Sequence, residues 1–389
     1  MTAETNFTQV GLNALELKDL SGLNTFLPDK QRFEKIRQAG AGGGIFLAFP
    51  AGTNAYGGSF SLLSVDTTTT ALVGGVDPAK DPVTQPTTLE FGDGGLTVAA
   101  DTSLLFVQMM EAGGSATNFG LMGTLGILDI PNQVTQAAIE PVQPSGTTSG
   151  PALVVQANPG TTGNVKVSAN DETQVILIAG DYLSSGNIGV GTSVAMTNVN
   201  RTVTAQVGTA AGGPPLVSSF SGIGNMDVTA NADGIVLPIA LAGIRPAGGA
   251  SQANGNSHGV DEHNPPNQEA ANVPDPSAFG IGFSGDAAVA LVNDTVQAFV
   301  NDGGTITGNG GTLSVTSTDQ TNVAASTGAW SSQYGEREGL SAGLAGSVSL
   351  TFVTANVAAF LNGPTLDNLG LQVLATNSML VGALAAGGS

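Results

Sequence analysis

The feature that most constrains this chain is a short alternating pattern that recurs five times. Each copy places an apolar residue or threonine, an alanine and a second apolar residue at successive odd positions, with mostly polar residues between them. The copies are Thr69-Ala71-Val73, Thr135-Ala137-Ile139, Val203-Ala205-Val207, Val296-Ala298-Val300 and Val357-Ala359-Leu361. Alternation with a period of two is typical of a β-strand that has one buried face and one solvated face. The pattern therefore predicts an internal repeat built from β-strands.

A second alternating strand follows each copy and supports the same repeat. Its inward positions are Leu96-Val98-Ala100, Val165-Val167-Ala169, Met226-Val228-Ala230, Leu313-Val315-Ser317 and Leu371-Val373-Ala375. The two strands and the apolar runs around them give a unit of about 60 to 70 residues. We expect each unit to supply two or three coils of a parallel solenoid, at about 20 to 30 residues per coil.

Small inward side chains decide between the possible β architectures. The inward positions hold Val, Ala, Ile, Leu and Thr, aromatic residues are 5% of the chain, and Trp330 is the only tryptophan. Repeats of a β-sandwich need a larger aromatic core and about 100 residues per module, which disfavours them here. They remain the alternative. The predicted fold is all-β, a right-handed parallel β-solenoid (β-helix) of about five degenerate repeats over residues 41–389.

Two stretches of this repeat also resemble a known family. The segments GNIGVGTSVAMTNVNRTVTAQVG and FSGDAAVALVNDTVQAFVNDGGTITGNGGTLSVTSTDQTNVAAS are similar to the repeats of large bacterial exoproteins of the filamentous haemagglutinin type. The resemblance extends over about residues 58–389. It implies a β-helical shaft and an extracellular or cell-surface location, although the N-terminal residues show no signal-peptide pattern.

The first forty residues differ from the remainder in charge. They hold five basic and five acidic side chains, and the segment Leu27–Ala39 can place Phe33 and Ile36 on one face of a helix,. Because the end of a solenoid needs covering, residues 1–40 are expected to form an N-terminal cap or a docking segment for a neighbouring subunit. A solvated linker is the alternative.

One repeat carries a polar insertion, which we place at residues 245–276. Both histidines of the chain lie in it, in the run His258-Gly-Val-Asp261-Glu262-His263. Two imidazoles and two carboxylates can bind a divalent metal such as zinc, but the spacing is not that of a helical zinc motif, and a polar surface loop explains the residues equally well. His258, Asp261, Glu262 and His263 are thus a candidate metal site within a candidate recognition loop.

The carboxylates of the repeat region are scattered singly, and the glycine-rich calcium-binding repeat motif is absent. We interpret them as solubilising or turn residues, with calcium at one or more of them as the alternative. They are Asp93, Asp101, Asp171, Asp227, Asp233, Asp294, Asp302 and Asp319. No cofactor is expected.

Charge and hydropathy exclude several classes of partner. The formal net charge is −20, so binding to nucleic acid is not expected, because that requires clustered Lys and Arg,. The charge-free stretch Ala342–Leu361 alternates like a strand, which predicts buried β-structure and not a membrane-spanning helix,. Cysteine is absent, which excludes disulfides and thiolate chemistry,.

These observations predict a non-enzymatic structural or adhesive protein that presents loops from a β-solenoid shaft. Its expected partner is a glycan or protein on a host or neighbouring cell. The first alternative is a self-assembling subunit of a filament or sheath, in which residues 1–40 join neighbouring copies. A polysaccharide-active β-helix enzyme is the further alternative. The five basic residues after position 40 are dispersed, and that dispersal argues against a lyase site,.

Overall fold

A computed structural model describes residues 2–10, 51–74, 87–141, 152–212, 215–246, 279–332 and 340–389. The strands in these ranges are β1 (Thr2–Val10), β2 (Ala51–Gly74), β3 (Thr87–Phe91), β4 (Leu96–Glu140), β5 (Leu153–Ala157), β6 (Gly163–Ser185), β7 (Ile188–Gly208), β8 (Ser218–Pro246), β9 (Phe279–Asn301), β10 (Thr305–Gly308), β11 (Thr312–Ser331), β12 (Leu340–Asn362), β13 (Thr365–Asp367), β14 (Gly370–Asn377) and β15 (Leu380–Gly388). The predicted all-β class is confirmed for this part of the chain.

Parallel pairing joins equivalent positions of successive repeats. Ala71 pairs with Ala137, which pairs with Ala205, and the same column continues through Ala298 to Ala359. The second strand shows the same order, from Leu96 through Val165, Met226 and Leu313 to Leu371. The fivefold repeat read from the sequence is therefore confirmed, and the arrangement is compatible with a parallel β-solenoid.

Each repeat contributes one coil to the stack, and not the two or three coils that we expected. Leu96 pairs directly with Val165, 69 residues further along the chain, and Val165 pairs with Met226, a further 61 residues along. The apolar runs on either side of each anchor are continuations of the same long strands. Strands such as β9, with 23 residues, span about 70 Å when extended,.

Two groups of long strands face each other across the interior. The front layer contains β2, residues 119–140 of β4, β7, β9 and β12, and the back layer contains residues 96–116 of β4, β6, residues 226–246 of β8, β11, β14 and β15. The short strands β3, β5, β10 and β13 pair along one side, together with the start of β8. Alternate side chains of both layers point inwards and form the core.

In the described part of the chain the core consists of three separate apolar clusters along the length of the strands. One contains Ala205 and Val167 near the side strands, a second contains Ala195 and Leu177, and a third contains Met122 at the opposite end. Val203, Ala205, Val207, Val296, Ala298 and Val300 are all fully buried, which confirms their predicted inward register. Polar side chains fill the gaps between the clusters.

The last repeat consists of β-strands, but its side chains are less buried than those of the other repeats. The stretch Ala342–Leu361 lies in β12, as expected, but its inward side chains are half-buried and its outward side chains are mostly exposed. The predicted burial is wrong because β12 has a paired strand, β9, on one side only among the described residues. Within the described ranges no helix is long and apolar enough to cross a membrane.

The insertion and the N-terminal segment lie mainly outside the described residues. Arg245 and Pro246, which we assigned to the insertion, instead end strand β8 and pair with Ser184 and Ser185. The metal candidates His258, Asp261, Glu262 and His263 and the helix predicted at Leu27–Ala39 fall outside the described ranges. Of residues 1–40, only Thr2–Val10 are described, and they form β1 along the edge of β4.

Candidate functional site

A buried ionic network crosses the interior between the two larger apolar clusters. Its centre is Arg201 in β7. Arg201 is two residues from both Val199 and Val203, so it lies on the same inward face of the strand and points into the core,. The Arg201 side chain is 1% exposed. We name the set Arg201, Asp171, Asp294 and Asp319 the arginine network.

Arg201 contacts carboxylates on both layers. Its Nε and Nη2 donate to the two carboxylate oxygens of Asp294 at 3.2 and 2.7 Å, a bidentate pair between adjacent front-layer strands,. Its Nη1 lies 3.4 Å from Asp171 in the back layer and donates to the carbonyl oxygen of Asp233 at 2.9 Å. Nη2 also donates to the Thr321 hydroxyl and lies 3.9 Å from Asp319. One guanidinium group thus joins three repeats.

Neutral donors complete the environment of Asp171. Gln133 Nε2 lies 2.7 Å from both carboxylate oxygens of Asp171, and the hydroxyls of Thr135 and Thr173 donate to the same carboxylate at 2.8 and 2.7 Å. The Thr135 hydroxyl shares a further hydrogen bond with Thr102. The polar chain therefore extends from the first repeat to the fourth, because Thr102 lies in the first repeat and Asp294 in the fourth.

The charges of the arginine network do not balance. Burial alone lowers the pKa of Arg201, but the attraction of Asp294 and Asp171 outweighs it, and the pKa is raised overall,. Burial raises the pKa of Asp294 although Arg201 opposes that shift. Asp319 Oδ2 and Gln133 Oε1 have no hydrogen-bond partner in the described part of the chain. One cation thus faces three carboxylates, and the raised pKa of Asp294 lets that side chain take up a proton more readily than an ordinary aspartate,.

A second buried acidic cluster lies between the middle cluster and the far end. Asp181 in the back layer accepts a hydrogen bond from Ser193 of the front layer at 3.1 Å, and the same hydroxyl contacts the Leu241 carbonyl oxygen at 2.8 Å. Burial raises the pKa of Asp181 to about 7, and the nearby Asp286 adds to the shift. Burial also raises the pKa of Asp286. Asp181 is therefore a buried carboxylate that can hold a proton near neutral pH,.

The interpretation of the carboxylates as solubilising or turn residues is wrong for three buried aspartates. Asp171, Asp294 and Asp319 are at most 2% exposed and lie inside the stack. Asp302 is also buried, but it does act as a turn residue, because it accepts hydrogen bonds from the amides of Gly304 and Ser218,. The sequence does contain a signal for the network. Asp294 is two residues from both Val292 and Val296, which places it on the same inward face of the strand.

The described residues bring together no group of three or more His, Asp or Glu side chains with the geometry of a metal site. The predicted set at positions 258 to 263 is outside those residues. Chemically, the arginine network can hold charges and protons between layers, and each of its four members is at most 2% exposed. A substrate would have to enter the packed interior to reach them.

No family model matches the sequence, and comparison with curated proteins and with solved structures also gave no match.

Proposed function

We propose that the chain is a right-handed parallel β-solenoid that acts as a non-enzymatic structural or adhesive protein outside the cell. The observation that carries this proposal is the stack of five repeats paired in register, with Ala71, Ala137, Ala205, Ala298 and Ala359 in one column. Such a stack is a rigid support from which loops and outer faces can be presented. The resemblance to filamentous haemagglutinin repeats supports the same role.

The outer side of the front layer supports a contact function. Tyr56, Leu121 and Phe283 lie in one outward column, and all three side chains are exposed. Phe60 and Leu125 are exposed in a second column nearby. Contiguous exposed apolar area of this kind marks interaction surfaces in soluble proteins. We name these five residues the front patch.

The partner that we propose is a glycan or a protein on a host or neighbouring cell. Aromatic and aliphatic side chains of the front patch can pack against the apolar parts of either one. The net charge of −20 disfavours nucleic acid as the partner,. The buried position of the arginine network supports a stabilising role for it, and the enzymatic alternative would need an accessible acid pair elsewhere in the chain.

Binding of the labelled protein to glycan and protein arrays and to intact cells tests the proposal. The variant Tyr56→Ser/Phe283→Ser should reduce binding at least 10-fold, because it removes two of the front-patch aromatic rings. The matched variant Met109→Ser/Ile235→Ser alters exposed apolar residues of the back layer and should bind like the wild type. Absence of binding to every array and cell type, or equal loss in both variants, contradicts the adhesive role.

A further inference from the structure

Among the described residues, both ends of the stack present strand edges that have no paired neighbour. Within the described residues β12 pairs only with β9, and β14 and β15 pair only with β11, so one side of the last repeat has unpaired backbone groups. At the other end β2 pairs with β4 and with no other strand in the described part of the chain. Unpaired edges of parallel strands are templates for the addition of another strand.

The inward side chains of the two edges match each other. In the front-layer columns Ser347 of β12 corresponds to Ser59 of β2, and Ala359 corresponds to Ala71. A β2 strand laid on β12 in the same register would therefore continue a polar column of serine, threonine and aspartate side chains and an all-alanine column. This is the same pairing that already joins the repeats within one chain, so no new type of interface is required.

The back layer differs because β1 occupies its open edge at the first repeat. Thr2–Val10 pair in parallel with residues 99–107 of β4, without a register shift. In the columns of the stack these positions correspond to those of β14 and the start of β15 in the last repeat. A neighbouring copy could therefore pair with residues 99–107 of β4 only if β1 left this edge.

We propose that a second copy of this chain docks head to tail on the last repeat, with its β2 on β12, and that β1 is a removable cap that limits this association. The inference goes beyond the proposed surface role and does not depend on it. A head-to-tail contact of this kind repeats without closing and so gives a filament. Five repeats at a strand spacing of about 4.8 Å would add about 24 Å of length per copy.

Proline substitution in the full-length chain tests the cap. The variant Thr5→Pro/Asn6→Pro removes the amide hydrogens of two successive positions, so one of them must belong to the ladder with β4. Sedimentation velocity and electron microscopy should show a monomeric wild type, and end-to-end particles that lengthen in steps of about 24 Å for the variant. A proline variant that remains monomeric with a native circular dichroism spectrum overturns the proposal.

A second pair of variants identifies the surface that associates. In the proline background Ala359→Asp puts a carboxylate between the copies and should restore the monomer. The control Ala358→Asp lies on the outward side of the same strand, in line with Gln297, and should leave association unchanged. If Ala359→Asp has no effect, the copies meet elsewhere, for example through the front patch, and the docking mode is wrong. Loss of cell binding in the front-patch variant does not affect this result.

Discussion

At the scale of single residues, Asp181 couples the stability of the fold to pH. Its pKa is about 7 in the folded chain against an ordinary value of 3.8. Between these values the folded state retains a proton that the unfolded state has released, so the free energy of unfolding falls as pH rises. The decline is about 1.4 kcal/mol per pH unit and reaches about 4 kcal/mol in total above pH 7.

Asp181→Asn should remove most of this dependence. The amide keeps an oxygen acceptor for Ser193 and cannot ionise, so we expect the variant to be about 2 to 4 kcal/mol more stable than the wild type at pH 8. The two proteins should have the same stability near pH 4. Urea unfolding from pH 4 to pH 8 measures both curves, and Asp227→Asn, at an outward position, should retain the wild-type slope. Parallel curves for Asp181→Asn and the wild type would refute this role of Asp181.

Arg201 is the residue whose loss should destabilise the interior most. Arg201→Gln leaves three buried carboxylates without their cation, and removal of one member of a buried ion pair costs about 3 to 5 kcal/mol. The loss should diminish as the solution becomes acidic, because burial raises the pKa of Asp294 and favours its neutral form, and Asp294→Asn should recover part of the loss in the double variant,. Chemical unfolding of the four proteins gives the coupling energy. Exposed Arg245→Gln is the control and should cost less than about 1 kcal/mol.

At the scale of strands, alternation alone was sufficient to predict the inward faces. The first-strand anchors of all five repeats pair in common columns, as the spacing indicated, because a slip of one residue would turn every apolar side chain towards solvent,. Arg201 and Asp294 were missed although they occupy inward positions. A charged residue is ordinarily exposed, and the sequence does not show that a partner will stand opposite in another repeat.

The outward face was predicted less well. Gln206 was expected to be solvated, but it is 2% exposed and hydrogen-bonds to Glu140. In the same outward column the rings of Phe299 and Phe360 stack at 4.8 Å. Burial also raises the pKa of Glu140. Gln206→Asp would therefore destabilise the fold, because it would place a second carboxylate beside the half-buried carboxylate of Glu140,.

Ala205 and its neighbour Thr204 provide a test of the register of β7. Ala205→Asp puts a charge into the column of alanines and should cost several kcal/mol. Thr204→Asp, at an outward and partly exposed position of the same strand, should cost about 0.5 kcal/mol or less. Thermal unfolding of the two variants measures the difference. Equal destabilisation would show that β7 does not have the register described.

At the scale of the whole molecule, the repeat count could be read from the sequence and the coil size could not. The two anchor strands of each repeat predicted two separate coils. The alternation is the same in a strand of 8 residues and in one of 23, so the sequence does not show how long each strand is. The pairing of Leu96 with Val165 shows one long circuit per repeat. The described stack is therefore wide and shallow, about 70 Å along its strands and about 24 Å along the stacking direction.

The insertion should be dispensable for this stack. Two residues, Gly186 and Asn187, connect Ser185 of β6 to Ile188 of β7. The positions that pair with these strand ends in the next repeat are Pro246 of β8 and Ile281 of β9, and residues 247–280 connect them. Glycine is needed at the first residue of the shorter connection, because a Cβ on Gly186 would lie 1.9 Å from the Thr117 carbonyl oxygen. We therefore design a variant in which Gly-Asn replaces residues 247–280.

This variant should melt within a few degrees of the wild type, because the replacement gives up only the first two residues of β9 and shortens a loop,. Any zinc binding that depends on His258, Asp261, Glu262 and His263 should disappear at the same time. Calorimetric unfolding and zinc titration measure the two effects on the same samples. His258→Ala/His263→Ala in the full-length chain is the control, and it should lose zinc binding with unchanged stability. Collapse of the shortened variant, with the control intact, would mean that the segment covers the stack and is not a recognition loop.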